Sequence, residues 1–329
     1  MSSPPLLLVV IDTEEEFDWS APFDRESTSV DAMRELHRGQ EVCDRFDIRP
    51  VYVIDHPVAS QENGWRPLKK MADEGRAVIG THLHPWVSPP FTEDLTMTNS
   101  FPGNLPIALE REKLERLTLQ IETTLGTRPR IYKAGRYGIG PNTATILEQL
   151  GYEVDLSPAP PFDFRGGGGP DFSLTPNDPA RIGPGRKLYS FPTTGDYIGS
   201  LATSRAGAHR LHRLATHPIF LSMHGPGILS RLRLLERIRL SPEGYHLEEL
   251  KRLTLTLRER GLNVFSLTFH SPTLKPGCTP YVRNEKDLDQ FLKTLHHYFD
   301  FFLHSLGGIA LTPLELKRRL DHISQGADI

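Results

Sequence analysis

The sequence predicts an α/β fold: an irregular (β/α) barrel of seven or eight strands, running as one domain over residues 1–329. Three observations predict it. Short apolar or β-branched runs alternate with amphipathic stretches along almost the whole chain, which is the pattern of βαβ units around a parallel sheet. The runs number eight or nine, enough to close a barrel. Polar residues capable of chemistry stand just after several of these runs, where a barrel gathers groups from distant segments. A doubly wound open sheet is the other arrangement that such alternation allows.

Taken in order, the expected strands are residues 6–11, 51–54, 77–82, 130–134, 153–156, 188–191, 219–223, 263–269 and 308–311. Helical patterns are expected between them over residues 32–46, 107–125, 142–150, 247–260 and 286–306. A final helix carries its own start signal, with Thr312 and Glu315 spaced as a capping box and Pro313 at the first helical position. Residues 157–187, with the glycine run 166–169 and neighbouring prolines, read as a long rim or lid insertion rather than a boundary. No internal repeat or linker divides the chain.

With 38% hydrophobic and 24% charged residues, the chain has the composition of an ordinary globular protein. A formal net charge of -3 gives no global attraction for nucleic acid or an anionic membrane, so any partner must be recognised locally. Cys43 and Cys278 lie in no metal-binding spacing and read as free thiols. The amino-terminal apolar run passes directly into TEEEFDW, which suits a first strand better than a signal peptide. No apolar stretch approaches the roughly 20 residues that cross a bilayer. A soluble, cytoplasmic protein is expected, with no membrane insertion.

The chemistry is concentrated at predicted strand ends. Asp12 and Glu14 follow LLLVVI, His82 and His84 follow AVIG, Lys133 and Arg136 follow RIY, and His270 follows VFSLTF. Because strand side chains repeat with period two, His82 and His84 project to one face and can chelate one ion. Asp12 and Glu14 share that spacing. One carboxylate can therefore complete a two-histidine, one-carboxylate set while the other stays free as a base, and an open position would hold water whose pKa falls toward about 7.

The segments IDTEEEFDW, IGTHLHPW, YKAGRYGIG, GYEVDLSPAPPFDF and LTFHSPTLKPG fall in the order of the five motifs of the polysaccharide deacetylases, and the chain resembles that family from Leu6 to about Leu316. The resemblance implies a distorted (β/α) barrel, a catalytic divalent metal, usually Zn2+, and hydrolysis of the acetamide of an N-acetylated sugar or of a related C–N bond. It implies Asp12 as general base. Glu14 becomes the metal carboxylate, since Thr13 stands where many members place an aspartate. His82 corresponds to the first metal histidine. Trp86 stands where the second is usual, so His84 substitutes for it, and Trp86 is either a substrate-stacking wall or a packed aromatic. Lys133 stands in the register of the arginine that orients the base, a task that Arg136 would share or take over because lysine lacks the bidentate fork. The backbone N–H near Tyr137 would help hold the oxyanion. Asp163 resembles the aspartate that tunes the acid histidine, with Asp155 as its competitor. His270 is the candidate general acid, with His224 as its rival and otherwise a substrate contact.

A carbohydrate or small amide is thus the expected partner, and nucleic acid is not. Other readings stay open: a cyclic imide or ureide hydrolase, a catalytically silent glycan- or partner-binding barrel, and an iron-dependent oxygenase using the same ligand set.

Overall fold

The computed structural model describes residues 3–216, 229 and 232–324. In chain order its main elements are β1 (Leu6–Thr13), α1 (Leu36–Asp44), β2 (Val51–Ile54), α2 (His56–Ser60), α3 (Glu62–Asp73), β3 (Val78–Leu83), α4 (Ile107–Leu125), β4 (Ile131–Ala134), α5 (Thr143–Leu150) and β5 (Val154–Asp155). There follow β6 (Ala180–Ile182), β7 (Leu188–Ser190), β8 (Gly195–Ile198), α6 (Arg205–Ala215), β9 (Glu236–Arg239), α7 (Leu247–Glu259), β10 (Val264–His270), α8 (Glu285–Asp300), β11 (Ile309–Ala310) and α9 (Pro313–Ser324).

The main sheet runs in the order β10-β1-β2-β3-β4-β5-β7-β6 and curls into a barrel that is open on one side. All neighbours are parallel except β6, which joins β7 antiparallel. β1 is shared: β2 pairs with its carboxyl half, from Val10 to Thr13, and the short β11 with Leu6 and Leu7. The opening between β7 and β10 is bridged by backbone. Thr193 N–H donates to the Pro158 carbonyl, Thr194 N–H donates to the Ser266 carbonyl at 3.1 Å, and Thr194 leads directly into the antiparallel ribbon β8–β9.

Period two places the chemistry. Leu6, Leu8, Val10, Val51, Val53, Val78, Ile131, Val154 and Val264 form one cluster inside the curl, whereas Leu7, Val9, Ile11, Tyr52 and Ile54 pack outward against the helices. Asp12 continues the inward parity of β1, His82 that of β3, Lys133 that of β4 and Thr268 and His270 that of β10. The register then sets Asp12 opposite His270 and His82 opposite Lys133. The far end of the interior is closed by α9, whose fully buried Leu316 joins the inner cluster. Its capping box is formed, with Thr312 N–H donating to Glu315 at 2.9 Å and Glu315 N–H donating to the Thr312 hydroxyl.

Several elements depart from expectation. α2, α3, α6, β6, β8 and β9 were not foreseen. Pro67 lies inside α3, and β8, GDYI, carries the glycine and aspartate that usually argue against a strand. Residues 157–187 are not only a loop, because β6 at their far end enters the sheet. The strand expected at 219–223 lies outside the described residues. No described helix is long and apolar enough to cross a membrane.

Candidate metal centre

Glu14, His82 and His84 converge at the carboxyl end of β1 and β3, all buried, with ligand atoms within 4.8 Å of one another. His82 Nε2 lies 3.5 Å and His84 Nε2 3.3 Å from the same Glu14 Oε2. These separations are what ligand atoms show around an ion held by bonds of roughly 2.0–2.1 Å.

The outer nitrogens are already committed. His82 Nδ1 meets the Lys133 carbonyl at 3.0 Å and His84 Nδ1 meets Glu15 Oε2 at 2.9 Å. A carbonyl and a carboxylate can only accept, so each Nδ1 carries the hydrogen. Burial pushes His82 well below its ordinary pKa and His84 down to about 4, so both rings are neutral near pH 7. Two imidazole lone pairs therefore face one carboxylate oxygen. Glu14 is held well above the usual carboxylate range, first by burial and then by the charges of Glu15, Asp12 and Asp55, and its Oε1 is buried without a partner. A divalent cation at this point satisfies all three groups at once. The donor set, borderline nitrogens with one oxygen, suits zinc.

The two histidines are braced from behind. Glu15 accepts from Trp86 Nε1 at 2.8 Å as well as from His84, and its own N–H donates to Asp55, which caps α2 through Val58 N–H. Trp86 is 2% exposed and its ring stacks on His84 at 4.2 Å. It borders the cavity and packs behind His84 with little of its own surface open. Gly135 is needed at its position because a Cβ there would sit 2.5 Å from the His84 ring.

Beside this cluster stands a second group. Lys133 Nζ donates to both oxygens of Asp12, at 2.6 and 2.7 Å, and to the Thr268 hydroxyl at 2.9 Å. Burial alone would raise Asp12; the adjacent Lys133 ammonium outweighs it and holds the carboxyl below its usual value. His270 Nε2 lies 3.7 Å from Asp12 Oδ2. Its Nδ1 meets Glu243 Oε2 at 2.7 Å, and Glu243 also accepts from His270 N–H and the Thr273 hydroxyl. Glu243 escaped the sequence reading: it sits in a turn, SPEGY, with no periodic relation to His270.

The cavity above has a volume of about 650 Å³ and is lined by Phe17, Trp19, Phe23, Tyr137, Phe164 and Tyr281 among others. Arg136 and Tyr137 enter it from a turn in which both have positive φ, 53° and 60°, the kind of strain that persists where function fixes it.

Three sequence expectations are corrected. Arg136 does not orient Asp12; it donates to Ser100 and packs over Phe101 at 4.2 Å, leaving that role to Lys133. Asp163 does not hold His270; half-buried in its loop, it forms an ion pair with Arg165, the nearest cation. Its competitor Asp155 is buried against Ser157 and also fails to reach His270, whose carboxylate partner is Glu243. His224 lies outside the described residues.

No family model matches the chain, and no curated protein matches it in sequence. The fold has matches among solved structures. A candidate polysaccharide deacetylase of Pseudomonas aeruginosa PAO1 superposes with a TM-score of 0.54 at 15% identity over 96% of this chain and 90% of that one. Puue allantoinase gives 0.54 at 15% identity over 98% and 92%, and a candidate polysaccharide deacetylase of Mycobacterium smegmatis 0.52 at 14% over 98% and 92%. The architecture is that of the polysaccharide deacetylase barrel. At such identities the likeness speaks for the fold, and the function has to be argued from the site.

Proposed function

We propose that this protein is a zinc-dependent hydrolase that removes the acetyl group from an N-acetylated sugar or glycan. The observation that carries the reading is the aim of two neutral imidazoles and one carboxylate at a single point, with one further carboxylate and one further imidazole flanking it. A bound divalent ion supplies a Lewis acid and acidifies water at that point.

The chain's own groups then have separable tasks. Asp12, kept ionised by Lys133, accepts the proton of the attacking water. His270, whose Nδ1–H is held by Glu243, has Nε2 free to deliver a proton to the leaving nitrogen, and the Glu243 carboxylate stabilises the imidazolium that must form first. The backbone N–H at Tyr137 is assigned to the developing oxyanion. Aromatic walls suit the apolar faces of a sugar ring.

A second reading, ring opening of a cyclic ureide, is favoured by the allantoinase that shares the fold. Both cleave a C–N bond, and the assay separates them. Protein loaded with zinc is expected to release acetate from N-acetylated chitooligosaccharides, to lose that activity with a chelator and to regain it on zinc addition. Ring opening of allantoin without acetate release would select the second reading. Turnover unaffected by metal removal would overturn both.

A further inference from the structure

Two guanidinium groups in the cavity have no task in the reaction just described. Arg239, at the end of β9, is pressed between two rings, its Cζ 5.0 Å from the Tyr137 centroid and 4.3 Å from that of Phe162. Nη1 donates to the Tyr137 hydroxyl at 2.8 Å, and Nε is buried without any partner. Arg136 also lines the cavity, packed over Phe23 and Phe101, and bonds only Ser100 and Met97. Among the described residues neither has a carboxylate within ion-pairing distance, in contrast to Arg205 and Arg260, which share Asp196. Residues 217–231, parts of which are not described, contain no acidic residue at all.

Three of the nearby acids are already engaged. Asp12 is matched by Lys133, Glu243 holds His270 and Thr273, and Glu14 belongs to the metal ligands. Asp18 also lines the cavity but is bonded only within its own turn, to Ser20, so no carboxylate completes either guanidinium, and a desolvated guanidinium without a counter-charge is costly unless a ligand completes it. The two rings hold Arg239 in place and Tyr137 takes one donor of Nη1, which leaves Nη2 to donate to an oxyanion.

We propose, on the basis of the hydrolase reading above, that the substrate is an N-acetylated sugar bearing an anionic group, a carboxylate or a phosphate, and that Arg239 is the residue that selects it, with Arg136 adding to the field of the cavity. Arg239 sits on the β8–β9 ribbon, so selection and catalysis come from different elements: the ribbon reads the charge, and the parallel sheet carries the hydrolytic groups.

The test is calorimetric binding without turnover, on intact protein, with three probes: N-acetylglucosamine, its 6-phosphate, and N-acetylmuramic acid, which carries a carboxylate. At low ionic strength wild-type protein is expected to bind at least one anionic probe about 10-fold or more tightly than the neutral sugar, and the stronger of the two identifies the group. Arg239→Gln is expected to bring the three to near equality, and Arg239→Lys to retain part of the preference, with unchanged circular dichroism and melting temperature showing that both variants fold. Equal binding of all three probes by wild-type protein, binding of none, or a preference that survives in folded Arg239→Gln, overturns the proposal. Anionic preference together with absence of acetate release would instead count against the hydrolase reading and leave this one standing.

Discussion

At the scale of single residues, the account turns on groups that act through a neighbour. Glu243 touches no reacting atom; it holds the Nδ1 hydrogen of His270 and steadies the ring's positive form. Glu243→Gln should therefore lower kcat by about 10²-fold or more and shift the acid-catalysis limb of the pH–rate profile, while zinc content stays at the wild-type value. Equal loss of activity and metal would assign Glu243 to the metal site instead. Lys133 is fully buried against Asp12, so Lys133→Met strands a carboxylate in the interior. Denaturant unfolding should register a loss of about 3–5 kcal/mol, whereas Lys133→Arg would keep the charge but strain the packing. Asp12, Glu14, His82 and His270 were legible because each follows an apolar run whose inward parity it continues. Glu243 and Arg239 were not, since one stands in a turn and the other in ERIR, a strand whose charges hide its alternation.

At the scale of elements, α4 and the segment after β3 illustrate how support for the site is distributed. Lys113, buried on α4, donates to the carbonyls of Pro85, Ser88 and Pro90, and so ties down the segment that follows His84. One turn earlier, Glu110 is buried with a single partner, the Thr143 hydroxyl, and burial pushes its carboxyl up to about 7. The folded protein therefore holds a proton there that the unfolded chain releases near the ordinary glutamate value of 4.5. Stability from this group is present at low pH and is lost as pH rises from about 4.5 to 7, a change of about 3 kcal/mol. Glu110→Gln should remove that dependence, so that urea unfolding shows the variant more stable than wild type at pH 8 and not at pH 4. A gain of equal size at both values would refute the assignment. The helix 107–125 was read to its ends because its pattern is long and continuous. α3 was missed because Pro67 interrupts it, and the split of the expected helix 32–46 into a 3-10 turn, Asp31–Glu35, followed by α1 leaves no mark in composition.

At the scale of the whole molecule, the barrel is completed by two devices that periodicity does not announce. The β8–β9 ribbon bridges β7 to β10, and α9 closes the floor. The ribbon brings Arg239 and, just beyond β9, Glu243 to the site, so the opening in the sheet is also where this molecule adds groups that the parallel strands do not supply. The expectation of a (β/α) barrel rested on alternation of runs, which is a global signal and survives the errors in individual short strands.

The central claim is that Glu14, His82 and His84 bind one ion with Asp12 near but unliganded. Crystals of the protein grown with zinc and measured above and below the zinc absorption edge test it most directly. The account predicts one anomalous peak, bonded to Glu14 Oε2, His82 Nε2 and His84 Nε2 and absent in His84→Ala. No peak among those three residues, or a peak whose ligands exclude both histidines, would contradict it.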